Sequence, residues 1–134
     1  MYLTNNSYKQ KGKGNMLNNG RTRIFCTAKI HGAVVSGGNI NYMGSITIDK
    51  ELLKSAGIAP YEMVHVNNIT NGNHWETYVI PGETGDIILN GAPARLFLKG
   101  DKVVIMRFEN IPIADIDNIS QTVVYVDKNN KEIK

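Results

Sequence analysis

The residues with the clearest chemical potential are Gly44 and Ser45, inside Asn41-Tyr42-Met43-Gly44-Ser45-Ile46-Thr47-Ile48-Asp49. A serine that follows a glycine can turn its hydroxyl on the preceding carbonyl and convert the peptide bond to an ester. Elimination of that ester leaves dehydroalanine, and hydrolysis turns it into a pyruvoyl group at the head of a new chain. Glycine favours the attack because it has no Cβ to shield the carbonyl and accepts a strained turn. By itself Gly-Ser is also an ordinary turn dipeptide. The residues around it decide which reading applies.

The elements that must position this pair are short and extended. Residues 24–31 alternate, with Ile24, Cys26, Ala28 and Ile30 on one face and Phe25, Thr27, Lys29 and His31 on the other. Ser36-Gly37-Gly38 reads as a turn into a second extended run that reaches Gly44-Ser45. Asp49 is a suitable N-cap for a short helix through Leu52, Leu53 and Ala56, and Gly57 is a natural stop. Residues 63–68 and 74–80 form the arms of a hairpin around Asn71-Gly72, a pair suited to positive φ. In the second arm His74, Glu76, Tyr78 and Ile80 share a face, opposite Trp75, Thr77 and Val79. Further strands are expected at 86–89, 102–108 and 122–126, with a turn at Asn90-Gly91 leading to Pro93. Short strands with one clear helix and no internal repeat argue for a compact, mostly β barrel with short helices rather than alternating βαβ units.

Composition narrows the function classes. The chain has 134 residues, enough for one domain with a modest core. Its net charge of +3 is unevenly spread. Residues 1–23 hold Lys9, Lys11, Lys13, Arg21 and Arg23 and no acid, and they read as a disordered basic tail ahead of a domain at 24–134. That domain is mildly acidic, which argues against a nucleic-acid groove. No apolar run is long enough to span a bilayer or to form the core of a signal peptide, so no membrane partner is expected. Cys26 stands alone, and His31, His65 and His74 show no metal-ligand spacing, so neither a disulfide nor a metal is expected. A reducing cytoplasm fits these facts.

Four segments in order carry a resemblance: Lys29-Ile30-His31, residues 39–45, residues 70–78 and Asn90-Gly91-Ala92-Pro93-Ala94. Together they resemble the self-processing, pyruvoyl-dependent aspartate decarboxylases, from about Ile24 to the C-terminus. The resemblance implies a small double-psi β-barrel assembled as a homotetramer with sites between subunits, and cleavage between Gly44 and Ser45. It also implies conversion of L-aspartate to β-alanine for pantothenate synthesis. Ser45 is then both the cleavage nucleophile and the source of the pyruvoyl cofactor, which condenses with the substrate amine as a Schiff base and takes up electrons as CO2 leaves. Tyr78 matches the proton donor, and Thr77 the hydroxyl that supports cleavage near the Gly44 carbonyl and borders the substrate. Lys29 and Asn90-Gly91-Ala92 match substrate-binding positions. Strict alternation sets Thr77 and Tyr78 on opposite faces, so one site can use both only through a bulge, a twist or a second subunit.

The match has departures. His74 stands where an arginine is usual, and a histidine lacks the permanent charge and bidentate fork of a guanidinium. Met43 stands where an acidic residue is common, Trp75 in place of phenylalanine, and Pro93 in place of alanine. Either His74 takes over the carboxylate contact and serves it less well, or the pocket accepts another small amino acid for the same chemistry; a further alternative is an uncleaved barrel acting as a binding module. A maturation factor is a further partner to consider.

Overall fold

The computed structural model describes residues 20–134. Eight strands follow in chain order: β1 (Thr22–Val34), β2 (Gly37–Asn39), β3 (Ser45–Asp49), β4 (Met63–Asn68), β5 (His74–Gly82), β6 (Ile87–Asn90), β7 (Lys102–Pro112) and β8 (Thr122–Tyr125). They form a sheet in the order β2-β6-β3-β5-β4-β7-β1-β8. Helix α1 (Lys50–Ala56) follows β3, and short 3-10 turns occupy Ala92–Arg95 and Ile113–Asn118. β1 begins at Thr22, inside the stretch expected as tail, and residues 1–19 of that tail lie outside the described residues.

One face of the sheet makes the core. Ile30, Ile46, Ile48, Val64, Val66, Val79, Ile87, Leu89, Val103 and Ile105 are all fully buried there, at alternate positions along their strands. The mostly β expectation holds, and the arrangement fits a small β-barrel. Parallel pairs (β1 with β8, β2 with β6, β3 with β5) are mixed with antiparallel ones. A simple up-and-down barrel would have antiparallel neighbours only.

The helix follows its sequence signals closely. Asp49 Oδ1 accepts from the Glu51 backbone N–H at 2.8 Å, and Gly57 closes the helix at φ +72°. Asp49 Oδ2 also accepts from Gly85 N–H at 2.8 Å, tying the helix start to the loop before β6. Leu52, Leu53 and Ala56 are the buried face of the helix.

Two local expectations are corrected. The alternation over residues 24–31 breaks at a bulge between Cys26 and Ala28, so Ile24 is 70% exposed instead of sharing the core face with Ala28 and Ile30. The bulged Thr27 bonds Glu109 through its hydroxyl and accepts from Arg107 Nε at 3.0 Å. Arg107 Nη1 in turn donates to the Gly57 carbonyl at 2.6 Å, so the bulge serves a strut to the end of α1. The second correction concerns Gly37-Gly38, which belongs to β2 and pairs in parallel with β6 rather than forming a turn. A Cβ on Gly38 would lie 2.6 Å from the Leu89 carbonyl oxygen, so this approach of strands requires glycine.

The asparagines around the β4–β5 turn have a structural use. Asn68 and Asn73 each donate from Nδ2 to the Leu96 carbonyl at 3.1 Å. The hairpin tip is thereby fastened to the turn that follows Asn90.

Candidate active site

Cross-strand register brings together residues that are far apart in sequence. Ser45 pairs with Asn90 across β3 and β6. Ile46 pairs with Val79 across β3 and β5, so Ser45, one residue earlier, comes beside Tyr78. Asn90, Ser45 and Tyr78 therefore form one row on three adjacent strands, all on the face away from the core. Ile88, Thr47 and Ile80 make the next row. Both rows line a cleft of about 580 Å³, bordered by Tyr42 and Met43 from the loop before β3. Apolar walls with a few convergent polar groups are the usual character of a small-molecule site.

The cleft is shaped by close backbone packing. Gly91 has φ +81°, and a Cβ there would lie 2.8 Å from the Gly44 Cα. Gly91 N–H donates to the Asn39 carbonyl at 2.9 Å, holding the end of β2 against the end of β6. Gly44 is different. A Cβ on it would meet only the Asn90 carbonyl oxygen, at an ordinary 4.0 Å, and its φ is outside the left-handed region. Nothing in the packing demands glycine at position 44.

Ser45 is 6% exposed at the start of β3, directly after that glycine. Tyr78 is 36% exposed and closes one side of the cleft. Thr77 remains on the opposite face of β5, opposite Val64, and the β4–β5 register runs through it without a shift. Within one chain it does not share the cleft with Ser45 and Tyr78. Ala92 opens the short turn after Gly91 and is exposed.

Lys29 and His74 lie elsewhere on the outer face. Lys29 pairs with Met106, Met106 with His65, and His65 with Glu76, giving a row across β1, β7, β4 and β5. At ~4.8 Å per strand, Lys29 is roughly 14 Å from the β5 end of that row. In the adjacent row, His74 pairs with Asn67 and His31 with Val104. His31 also packs edge-on against Tyr125, with ring centroids 5.7 Å apart.

His74 does not stand alone. Its Nδ1 is 2.6 Å from Asn67 Oδ1 and its Nε2 is 3.1 Å from Glu76 Oε2. His65 Nδ1 is 3.9 Å from the same carboxylate oxygen. This convergence of two histidines and a glutamate was not visible as ligand spacing along the chain. The available signal was the Asn71-Gly72 turn, because the hairpin register it sets places position 65 opposite 76 and 67 opposite 74.

Comparison with known proteins points to a family. The family model described as aspartate decarboxylase matches residues 21–133. An aspartate 1-decarboxylase from Clostridium botulinum (strain 657 / Type Ba4) is 51% identical over 114 residues, covering 83% of this chain and 90% of that protein. The Leptospira biflexa (strain Patoc 1 / Ames) protein of the same name is 48% identical over 112 residues, covering 81% and 95%. One from Caldicellulosiruptor saccharolyticus is 50% identical over 109 residues, covering 80% and 85%.

Proposed function

The chain belongs to the aspartate decarboxylase family, and from that premise we propose that it removes the α-carboxyl group of L-aspartate, giving β-alanine, by means of a pyruvoyl group made from its own Ser45. The observation that carries the pyruvoyl reading is the row Asn90–Ser45–Tyr78 beside a glycine that packing does not require. A fold has no steric use for Gly44, whereas attack on its carbonyl does.

In the first stage Ser45 Oγ adds to the Gly44 carbonyl, and the amide becomes an ester as the Ser45 nitrogen leaves. Loss of the Cα proton then expels the Gly44 carboxylate, ending one chain at residue 44. Water hydrolyses the dehydroalanine left at position 45, ammonia departs, and a ketone remains. The surroundings fit such a group: the outer-face cleft opens beside Ser45, with Tyr78 and Asn90 on either side of it. When present, the group supplies the electron sink that loss of CO2 requires and that no ordinary side chain offers.

The remaining work falls to the chain's own side chains. Tyr78 lies in the same row as Ser45 and serves as proton donor to the substrate carbon once CO2 has left. Asn90, with the Gly91-Ala92 backbone, orients the substrate from the β6 side. Lys29 supplies a point charge for a substrate carboxylate, and His74 a ring N–H in place of the usual guanidinium. Both sit on the outer face away from the cleft of their own chain, which supports a site completed between copies in a homotetramer. Thr77, on the core side of β5, reaches a Gly44 carbonyl only through a local twist or from another copy. No helix among the described residues is long and apolar enough to cross a membrane. The unpaired Cys26 is compatible with a cytoplasmic setting.

Intact mass of the purified protein tests the reading. The expected result is two fragments, residues 1–44 and 45–134, the second beginning with pyruvoyl, and a single chain for Ser45→Ala. A single chain from the wild type that stays uncleaved with a cell extract, the source of any maturation factor, would remove Ser45 from the chemistry.

A further inference from the structure

We propose that His65, His74 and Glu76 form a binding site for one divalent transition cation of borderline softness, Zn2+ being the representative. Their candidate ligand atoms all lie within 4.8 Å of one another. His74 Nε2 and His65 Nδ1 approach the same Glu76 oxygen, at 3.1 and 3.9 Å. With metal–ligand bonds of ~2.0–2.2 Å, two ligands on a tetrahedral zinc stand about 3.3 Å apart. The two separations to Glu76 straddle that value. The two imidazoles come within 4.8 Å of each other, and the β4–β5 ladder fixes the backbones with His65 opposite Glu76, so the site closes by adjustment of the side chains.

The surroundings prepare the ligands. Asn67 Oδ1, 2.6 Å from His74 Nδ1, is an acceptor for an N–H on that nitrogen and orients the ring with Nε2 toward the cluster; an ion there would take the place of the proton that Nε2 shares with Glu76 Oε2 at 3.1 Å. A hydrogen-bonded partner on the far ring nitrogen is the usual device for orienting a metal-binding histidine. His65 is held by the Phe108 ring at 4.5 Å and lies 5.4 Å from the His74 ring. Side-chain exposures of 28, 44 and 49% for His65, His74 and Glu76 leave open positions for water. Two imidazoles and one carboxylate suit zinc, cobalt or nickel, whereas Mg2+ and Ca2+ prefer all-oxygen sites. The chain has three histidines and one cysteine, and residues 1–19 contain no His, Cys, Asp or Glu, so the tail offers no rival side-chain ligand of these kinds. With the ion bound, a substrate carboxylate would meet the cation instead of the His74 imidazole; binding itself does not depend on the pyruvoyl reading, since it can be measured on cleaved and uncleaved chains alike.

The test is calorimetric titration of the full-length protein, stripped with EDTA, with ZnCl2 in a non-chelating buffer. The expected result is one ion per chain. His65→Gln, His74→Gln and Glu76→Gln should each weaken it at least about tenfold, Asn67→Ala by less, and His31→Gln not at all. Zn2+ should raise the melting temperature of the wild type and of His31→Gln but not of the His65→Gln/His74→Gln double variant, a readout that also reports whether each variant is folded. Absence of binding, or equal affinity in the three ligand variants and the wild type, would overturn the proposal. So would a loss in His31→Gln as large as in the others.

Discussion

The two chemical regions of this molecule are built by different means. The cleft beside Ser45 is set by main chain: Gly91 rests against Gly44, Gly38 against Leu89, and β3 is paired on both edges. The outer face of the β4–β5 hairpin is set by side chains that hold one another, with His74 bridging Asn67 and Glu76. Backbone contacts leave almost no freedom for substitution, whereas an exposed network can change a member and find a new partner. That contrast separates Gly91 and Gly38, where a Cβ would meet backbone at 2.8 and 2.6 Å, from His74, an exposed member of a side-chain network. On the proposed function, the bond-breaking residues sit in the rigid part and the substrate contact in the adaptable part.

Substitutions can break or sharpen this contrast. The largest effect is expected at Tyr78. In Tyr78→Phe, fragment masses should be unchanged while turnover of aspartate falls by roughly 10²–10⁴, the range for a positioned proton donor. Equal loss of cleavage would mean that the two stages share this residue. Next comes Gly91→Ala, where a Cβ meets Gly44 at a positive φ. Stability should drop by about 1–3 kcal/mol in urea unfolding, with slower appearance of the two fragments. A stable, normally cleaving Gly91→Ala would show that the cleft is less rigid than its contacts indicate.

A smaller effect is expected on the hairpin. His74→Arg should raise kcat/KM for aspartate by about tenfold, as one charge-assisted hydrogen bond would. A fall, or a gain for a different amino acid, would show that His74 and its neighbours are tuned to another substrate. The smallest change should be the stability of Gly44→Ala, within ~0.5 kcal/mol of wild type because its Cβ meets only one atom, at 4.0 Å. Destabilisation beyond that would return Gly44 to a purely structural role.

Much of this was legible in the sequence where the signal is local. Asp49 and Gly57 bound the helix because capping depends on a few neighbouring atoms. Asn71-Gly72 announced the hairpin for the same reason. What was hidden depends on strand partners. The Thr27 bulge follows from Arg107 and Glu109, some 80 residues away, and no alternation rule contains them. β2 was obscured because two glycines read as a turn, although here they permit a close parallel pairing with β6. The opposed faces of Thr77 and Tyr78 were legible from parity alone, and the unbroken β5 register retains them. The His65–His74–Glu76 cluster needed a register, and linear spacing among histidines could not supply one.

The double pairing of β3 has one more consequence. Its first residue bonds toward β6 while the strand runs beside β5, so a cut before Ser45 frees a chain end without freeing a strand. The shorter piece is anchored too, because β1 lies between β7 and β8, and Ile30, Ala33 and Val35 are buried. Two polypeptides produced in this way would behave as one body in native sizing and separate only under denaturation. Pieces made separately and mixed should find each other again, as halves of an interrupted fold do.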